Sequence, residues 1–126
     1  MFEPTCLVVI DDETLMKQIF EGVFVKELHE GSVTFKFFDD PTVGLEYLRA
    51  QGKREPNQVV ITDLNMPEMT GTELIRQLRD EGLQSRTFII SAYEPEYICS
   101  DLDAFDIEGY FTKPIDFDSL RSQVLA

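Results

Sequence analysis

Five times along the chain a short apolar run ends on a polar group and gives way to a segment of helical period. Cys6-Leu-Val-Val-Ile10 runs into Asp11-Asp12, and Ser32-Val-Thr-Phe-Lys-Phe-Phe38 into Asp39-Asp40-Pro41. Val59-Val-Ile-Thr62 meets Asp63, Phe88-Ile-Ile90 meets Ser91, and Tyr110-Phe-Thr112 meets Lys113-Pro114. Runs this short, rich in β-branched and aromatic residues, read as buried strands. Between them lie apolar stripes at helical spacing: Leu15, Met16, Ile19, Phe20, Val23 and Phe24, then Val43, Tyr47 and Leu48, then Leu74, Ile75 and Leu78. Ile98, Leu102 and Phe105 follow the fourth strand, and Phe117, Leu120 and Val124 the fifth. Gly31, Gly52 and Gly82 fall just past predicted helix ends, Pro41 suits a first helical turn, and Thr70-Gly-Thr-Glu73 has capping-box spacing. Alternation of this kind predicts an α/β domain of (βα)5 pattern over residues 1–126, a parallel sheet covered on both faces by right-handed crossovers.

In a parallel sheet every strand's carboxyl end lies on one edge, and ligands gather there. Asp11, Asp12, Asp63, Ser91 and Lys113 are therefore expected to meet although they are scattered through the sequence. Asp39-Asp40-Pro41 reads instead as the start of a helix. Three carboxylates in one crevice repel unless a cation lies among them, and hard oxygen donors suit Mg²⁺. A divalent ion, a lysine and a hydroxyl around one carboxylate are what a transferring phosphoryl group requires. Asp63, already ionised at neutral pH, needs no base to act as the nucleophile. Each residue also has a plainer reading: Asp63 as a turn residue, Asp11-Asp12 as a helix start, Ser91 as a strand end, Lys113 as a solvated charge. Their coincidence at four parallel strand ends favours a metal or phosphoryl site.

The charge balance, 11 basic against 24 acidic residues for a net of −13, argues against nucleic acid or an anionic membrane as a direct partner. No signal peptide and no membrane-spanning run is read in the sequence, which points to the cytoplasm. Cys6 and Cys99 are too few for a metal motif and are expected as buried thiols; His29 is expected at a helix end.

The ordered set Asp11-Asp12, Asp63 within "DLNMPEMTG", Ser91-Ala92 and Tyr110-Phe-Thr-Lys113-Pro114 resembles the receiver domain of two-component response regulators, from about Thr5 to the C-terminus. The resemblance implies a flavodoxin-like, doubly wound fold with strand order 2-1-3-4-5. It implies that Asp63 takes a phosphoryl group from a histidine kinase or a histidine phosphotransfer domain. Asp11, Asp12, Asp63 and the backbone carbonyl of Asn65 would hold Mg²⁺, with Mn²⁺ as a substitute. Lys113 would pair with the phosphoryl group, and the Lys113-Pro114 bond is expected to be cis. Ser91 and Tyr110 would act as the switch, reshaping the face made by the fourth helix, fifth strand and fifth helix for an effector. Such a chain is a monomer or a phosphorylation-dependent dimer, and either a stand-alone regulator or the receiver of a longer protein. Tyr93, two residues past Ser91, is bulky enough to shield an acyl phosphate from water, and the acidic segment Glu94–Asp103 reads as a solvated face or as the mark of a basic partner. Two other functions compete. A Mg²⁺-dependent phosphohydrolase with an aspartyl-phosphate intermediate would want a general acid where Asn65 stands. A receiver that only scaffolds would not need the full set of site residues.

Overall fold

The computed structural model describes residues 3–52, 57–83, 86–92 and 107–126. Its elements are β1 (Thr5–Ile10), α1 (Leu15–Val23), α2 (Val25–Glu30), β2 (Val33–Phe38), α3 (Pro41–Gln51), β3 (Gln58–Asp63), α4 (Gly71–Asp80), β4 (Arg86–Ser91), β5 (Gly109–Thr112) and α5 (Phe117–Leu125). All four strand pairings are parallel and the order is β2-β1-β3-β4-β5, the doubly wound arrangement expected. The stretch expected to form a helix after β4, with Tyr93, Ile98, Cys99, Leu102 and Phe105, lies outside the described residues.

Period-two alternation sends successive strand residues to opposite faces. Leu7, Val9, Val59, Ile61, Phe88 and Ile90 face α1 and α5, where Met16, Phe20, Leu120 and Val124 close the layer. Val8, Ile10 and Val60 face α3 and α4, against Leu45, Leu48, Leu74 and Leu78. The central strand β3 is buried at all six positions. Each apolar side chain so enclosed contributes about 1.5–3 kcal/mol. Aromatic packing on the first face centres on Phe20, which meets Phe117 edge-on at 5.7 Å and stacks on Phe24 at 6.4 Å.

Three helical expectations need correction. The first stripe does not continue as one helix: Phe24, at φ −103° and ψ 20°, leaves the helical basin, and residues 25–30 form a separate turn and a half ending at left-handed Gly31. Leu15 is 57% exposed because Met16, Phe20 and Phe24, four residues apart, define the inward face and leave it about 100° to one side. Val43 is likewise 48% exposed, since the inward face of α3 is Pro41, Gly44, Leu45 and Leu48. The caps are as expected: Asp40 accepts from the Thr42 amide at 2.8 Å, and Thr70 from the Glu73 amide at 3.1 Å. His29 does fall in the last turn of α2, while Cys6 is half-buried rather than enclosed.

Two long-range clamps tie helices down on the first face. Glu27 of α2, 5% exposed, takes a forked ion pair from Arg121 of α5, at 2.5 Å to Nη2 and 3.2 Å to Nε. At the start of β4, Arg86 donates to the carbonyls of Gln123 and Val124 at 2.8 and 2.9 Å, closing the C-terminal end of α5. The same guanidinium pairs with Glu108 through Nε at 3.0 Å and lies over the Phe88 ring.

Candidate functional site

The registers bring the carboxyl ends of β1, β3, β4 and β5 to one edge: Ile10 pairs with Thr62, Asp63 with Ile90, and Ser91 with Thr112. Asp63 is the last residue of β3 rather than the first of a loop, so its backbone is fixed by the ladder and its carboxylate stands at the sheet rim. Asp11 directly follows β1, its amide bonded to Phe38 of β2 at 3.0 Å. Asp11 and Ser91 are fully buried, Asp63 is 6% exposed and Asp12 is exposed. Single carboxylate oxygens of Asp11, Asp12 and Asp63 lie within 4.8 Å of one another.

Lys113 reaches into this cluster from the β5–α5 loop, beside a cis peptide bond to Pro114. Its Nζ donates to Asp11 Oδ2 at 3.2 Å, to Asp63 Oδ2 at 3.4 Å and to Glu13 Oε2 at 3.2 Å. The loop that carries it is fixed by the Lys113 amide on the Ser91 carbonyl at 2.7 Å. The second oxygen of each buried carboxylate meets a backbone amide: Glu13 N to Asp11 Oδ1 at 2.9 Å, and Asn65 N to Asp63 Oδ1 at 3.3 Å. Tyr110, half-buried in β5, packs against Leu64, Ile75 and Ile89.

Among the described residues the site sets four carboxylates against one ammonium, an excess of negative charge. Burial, and then the neighbouring charge of Asp63, push the Asp11 carboxyl up from 3.8 to about 6, against the pull of the Glu13 amide and Lys113. Burial alone would lower Lys113, but the Asp11 and Asp63 carboxylates more than reverse this and its ammonium is held above the usual range. A Mg²⁺ ion with oxygen ligands at about 2.0–2.1 Å holds neighbouring ligands about 3 Å apart and opposite ones about 4 Å apart. Three carboxylate oxygens within 4.8 Å, one on an exposed residue that leaves room for water, fit that ion.

Gly71 supplies a constraint absent from the sequence reading. Its amide bonds the Leu64 carbonyl at 2.8 Å, folding the 64–70 loop back on itself. A Cβ there would collide with the carbonyl oxygen of Asp63 and sit 3.0 Å from Leu64 Cα. Glu13 was also missed; the one available signal was a third acidic residue directly after Asp11-Asp12. Among the described residues, no helix is long and apolar enough to cross a membrane.

Proteins of similar sequence and of similar fold are known. The chain is 26% identical over 118 residues to sporulation initiation phosphotransferase F of Bacillus subtilis, covering 94% of this chain and 89% of that one. It is 28% identical to the nitrate/nitrite response regulator protein homolog of Haemophilus influenzae, covering 94% of this chain but only 54% of that protein's length. In shape it is similar to chemotaxis protein CheY4 of Vibrio cholerae (TM-score 0.75, 21% identity, 98% of both chains). A signal receiver domain from Vibrio parahaemolyticus is similar at TM-score 0.84 and 16% identity, over 98% of this chain and 88% of that one. The family model of the response regulator receiver domain matches residues 7–125, and the chain belongs to that family of two-component signalling proteins.

Proposed function

We propose that the chain, as one receiver unit over residues 1–126, is a phosphorylation-activated switch of a two-component system or phosphorelay, with Asp63 as the phosphoacceptor. The observation that carries this is the sharing of one lysine ammonium between two buried carboxylates, Asp11 and Asp63, at the rim of a parallel sheet. An Asp63 oxygen attacks phosphorus, the P–N bond of a phosphohistidine breaks, and the imidazole leaves with the electron pair. The product is an acyl phosphate on Asp63. Lys113 steadies the negative charge on the transferring oxygens, and the Asn65 amide orients the carboxylate. Asp11, Asp12, Asp63 and the Asn65 carbonyl hold Mg²⁺, or Mn²⁺ in its place, which when bound neutralises charge on the phosphoryl oxygens.

The switch follows from differential contacts. Ser91 donates to the phosphoryl group, Tyr110 turns inward behind it, and the packing in which both occur becomes the favoured one. The surface altered is that of β5, α5 and the helix expected before β5, where an effector binds, with a histidine kinase or phosphotransfer domain as donor. The protein acts in the cytoplasm, as a monomer or a phosphorylation-dependent dimer, and regulates rather than turns over substrate.

Incubation with Mg²⁺ and acetyl phosphate, followed by intact-protein mass spectrometry, tests the reading. One phosphoryl group per chain, absent from Asp63→Asn, is expected. Many turnovers per chain would favour the phosphohydrolase instead, and no adduct would favour a scaffold.

A further inference from the structure

Lys113 spends one of its three N–H donors outside the Asp11–Asp63 pair, on Glu13. The three contacts differ in how easily they can be given up. Asp11 is fully buried, and its other oxygen is pinned by the Glu13 amide. Asp63 is the proposed phosphoacceptor itself. The Glu13 side chain is 54% exposed, and it borders an open cleft of about 260 Å³ that continues past Lys113 to Met16 and Ile115. Its carboxylate can leave the ammonium and be hydrated at little cost, whereas the Asp11 carboxylate cannot.

We propose that Glu13 is a positioning residue: its carboxylate holds Lys113 in the resting site and competes with the incoming phosphoryl group for the ammonium. Glu13 thus acts on both partners of the site, fixing Asp11 through its backbone amide and Lys113 through its side chain. When three phosphoryl oxygens replace one carboxylate oxygen, Lys113 releases Glu13, the most exposed of its partners, and turns that donor inward. Glu13 therefore sets how readily the phosphorylated arrangement forms without touching the phosphoryl group. This rests on Asp63 being the phosphoacceptor.

The test uses beryllium trifluoride with Mg²⁺ as a phosphoryl mimic, its affinity read by ¹⁹F NMR on the wild type, Glu13→Gln and Glu13→Asp. An exposed ion pair has a worth that corresponds to at most about fivefold in an equilibrium. Glu13→Gln is expected to bind the mimic up to about fivefold more tightly. Glu13→Asp keeps the charge but is one methylene too short to hold the 3.2 Å contact, and should match Gln. If Glu13→Asp matches the wild type instead, plain charge repulsion accounts for the effect and the proposal falls. It falls equally if Glu13→Gln binds no more tightly than the wild type. A second reading, on the protein without any ligand, is the ¹⁵N relaxation of the Lys113 ammonium. Both variants should loosen it, and unchanged relaxation would overturn the tether. Should the wild type bind no beryllium trifluoride, the phosphoacceptor reading fails, and the relaxation measurement alone decides the tether.

Discussion

A carboxyl pushed up to about 6 is a liability that proton linkage can measure. Asp11 titrates near 3.8 when solvated and near 6 in the folded protein, chiefly because it is buried and then because Asp63 repels it. The folded state therefore binds this proton more tightly than the unfolded state does. Stability from the group is fully present below 3.8 and is lost as pH rises through about 6. A difference of about two pH units, at about 1.36 kcal/mol each, comes to about 3 kcal/mol. The perturbation is Asp11→Asn, which keeps an oxygen for the Glu13 amide but cannot ionise. The assay is urea unfolding in chelator-treated buffer from roughly pH 4 to roughly pH 8. The stability of the wild type relative to the variant should fall by roughly 2–3 kcal/mol across that range, most of it between about pH 4 and about pH 6 and little above it. Excess Mg²⁺ should shrink the fall, because a cation among the carboxylates favours their ionised forms. Parallel pH profiles for the two proteins would refute the reasoning, since the burial of Asp11 would then carry no electrostatic cost.

Three further perturbations address other parts of the structure. Gly71→Ala forces a methyl group against the Asp63 carbonyl; it should cost about 1–3 kcal/mol in urea unfolding and reduce the yield of the acetyl phosphate adduct. Thr70→Ala removes the oxygen that caps α4 and should cost about 1 kcal/mol while the adduct still forms. Arg121→Ala leaves Glu27 buried without its guanidinium, whose hydrogen bond is what lowers the Glu27 carboxyl. A depressed carboxyl stabilises above its unfolded value of 4.5 and loses that contribution as pH falls, so the drop in melting temperature should be larger near neutrality than in acid.

How far sequence could reach depended on whether the controlling distance was local. Strands ending on Asp11, Asp63, Ser91 and Lys113 could be assembled on paper because parallel pairing forces their ends to one edge. The caps of Asp40 and Thr70 were equally readable, being bonds across two or three residues. What escaped was set by packing. Leu15 and Val43 count as apolar in any stripe, and only the choice of inward face turned them out. The break at Phe24 interrupts a pattern whose apolar spacing continues through it. Glu13 meets Lys113 across 100 positions, and Gly71 matters through a carbonyl eight residues earlier that has no sequence signature.

The clamp formed by Arg86 has a mechanical consequence. α5 runs antiparallel to the strands, so it starts beside Lys113 at the site edge and ends at the opposite edge, where Arg86 grips the carbonyls of Gln123 and Val124. The Arg121–Glu27 pair holds the helix nearer its middle, so both clamps act from Arg121 onwards and resist a slide of α5 along its axis. A pull on the Lys113–Ile115 segment would then act first on the turn that begins at Phe117, ahead of both clamps.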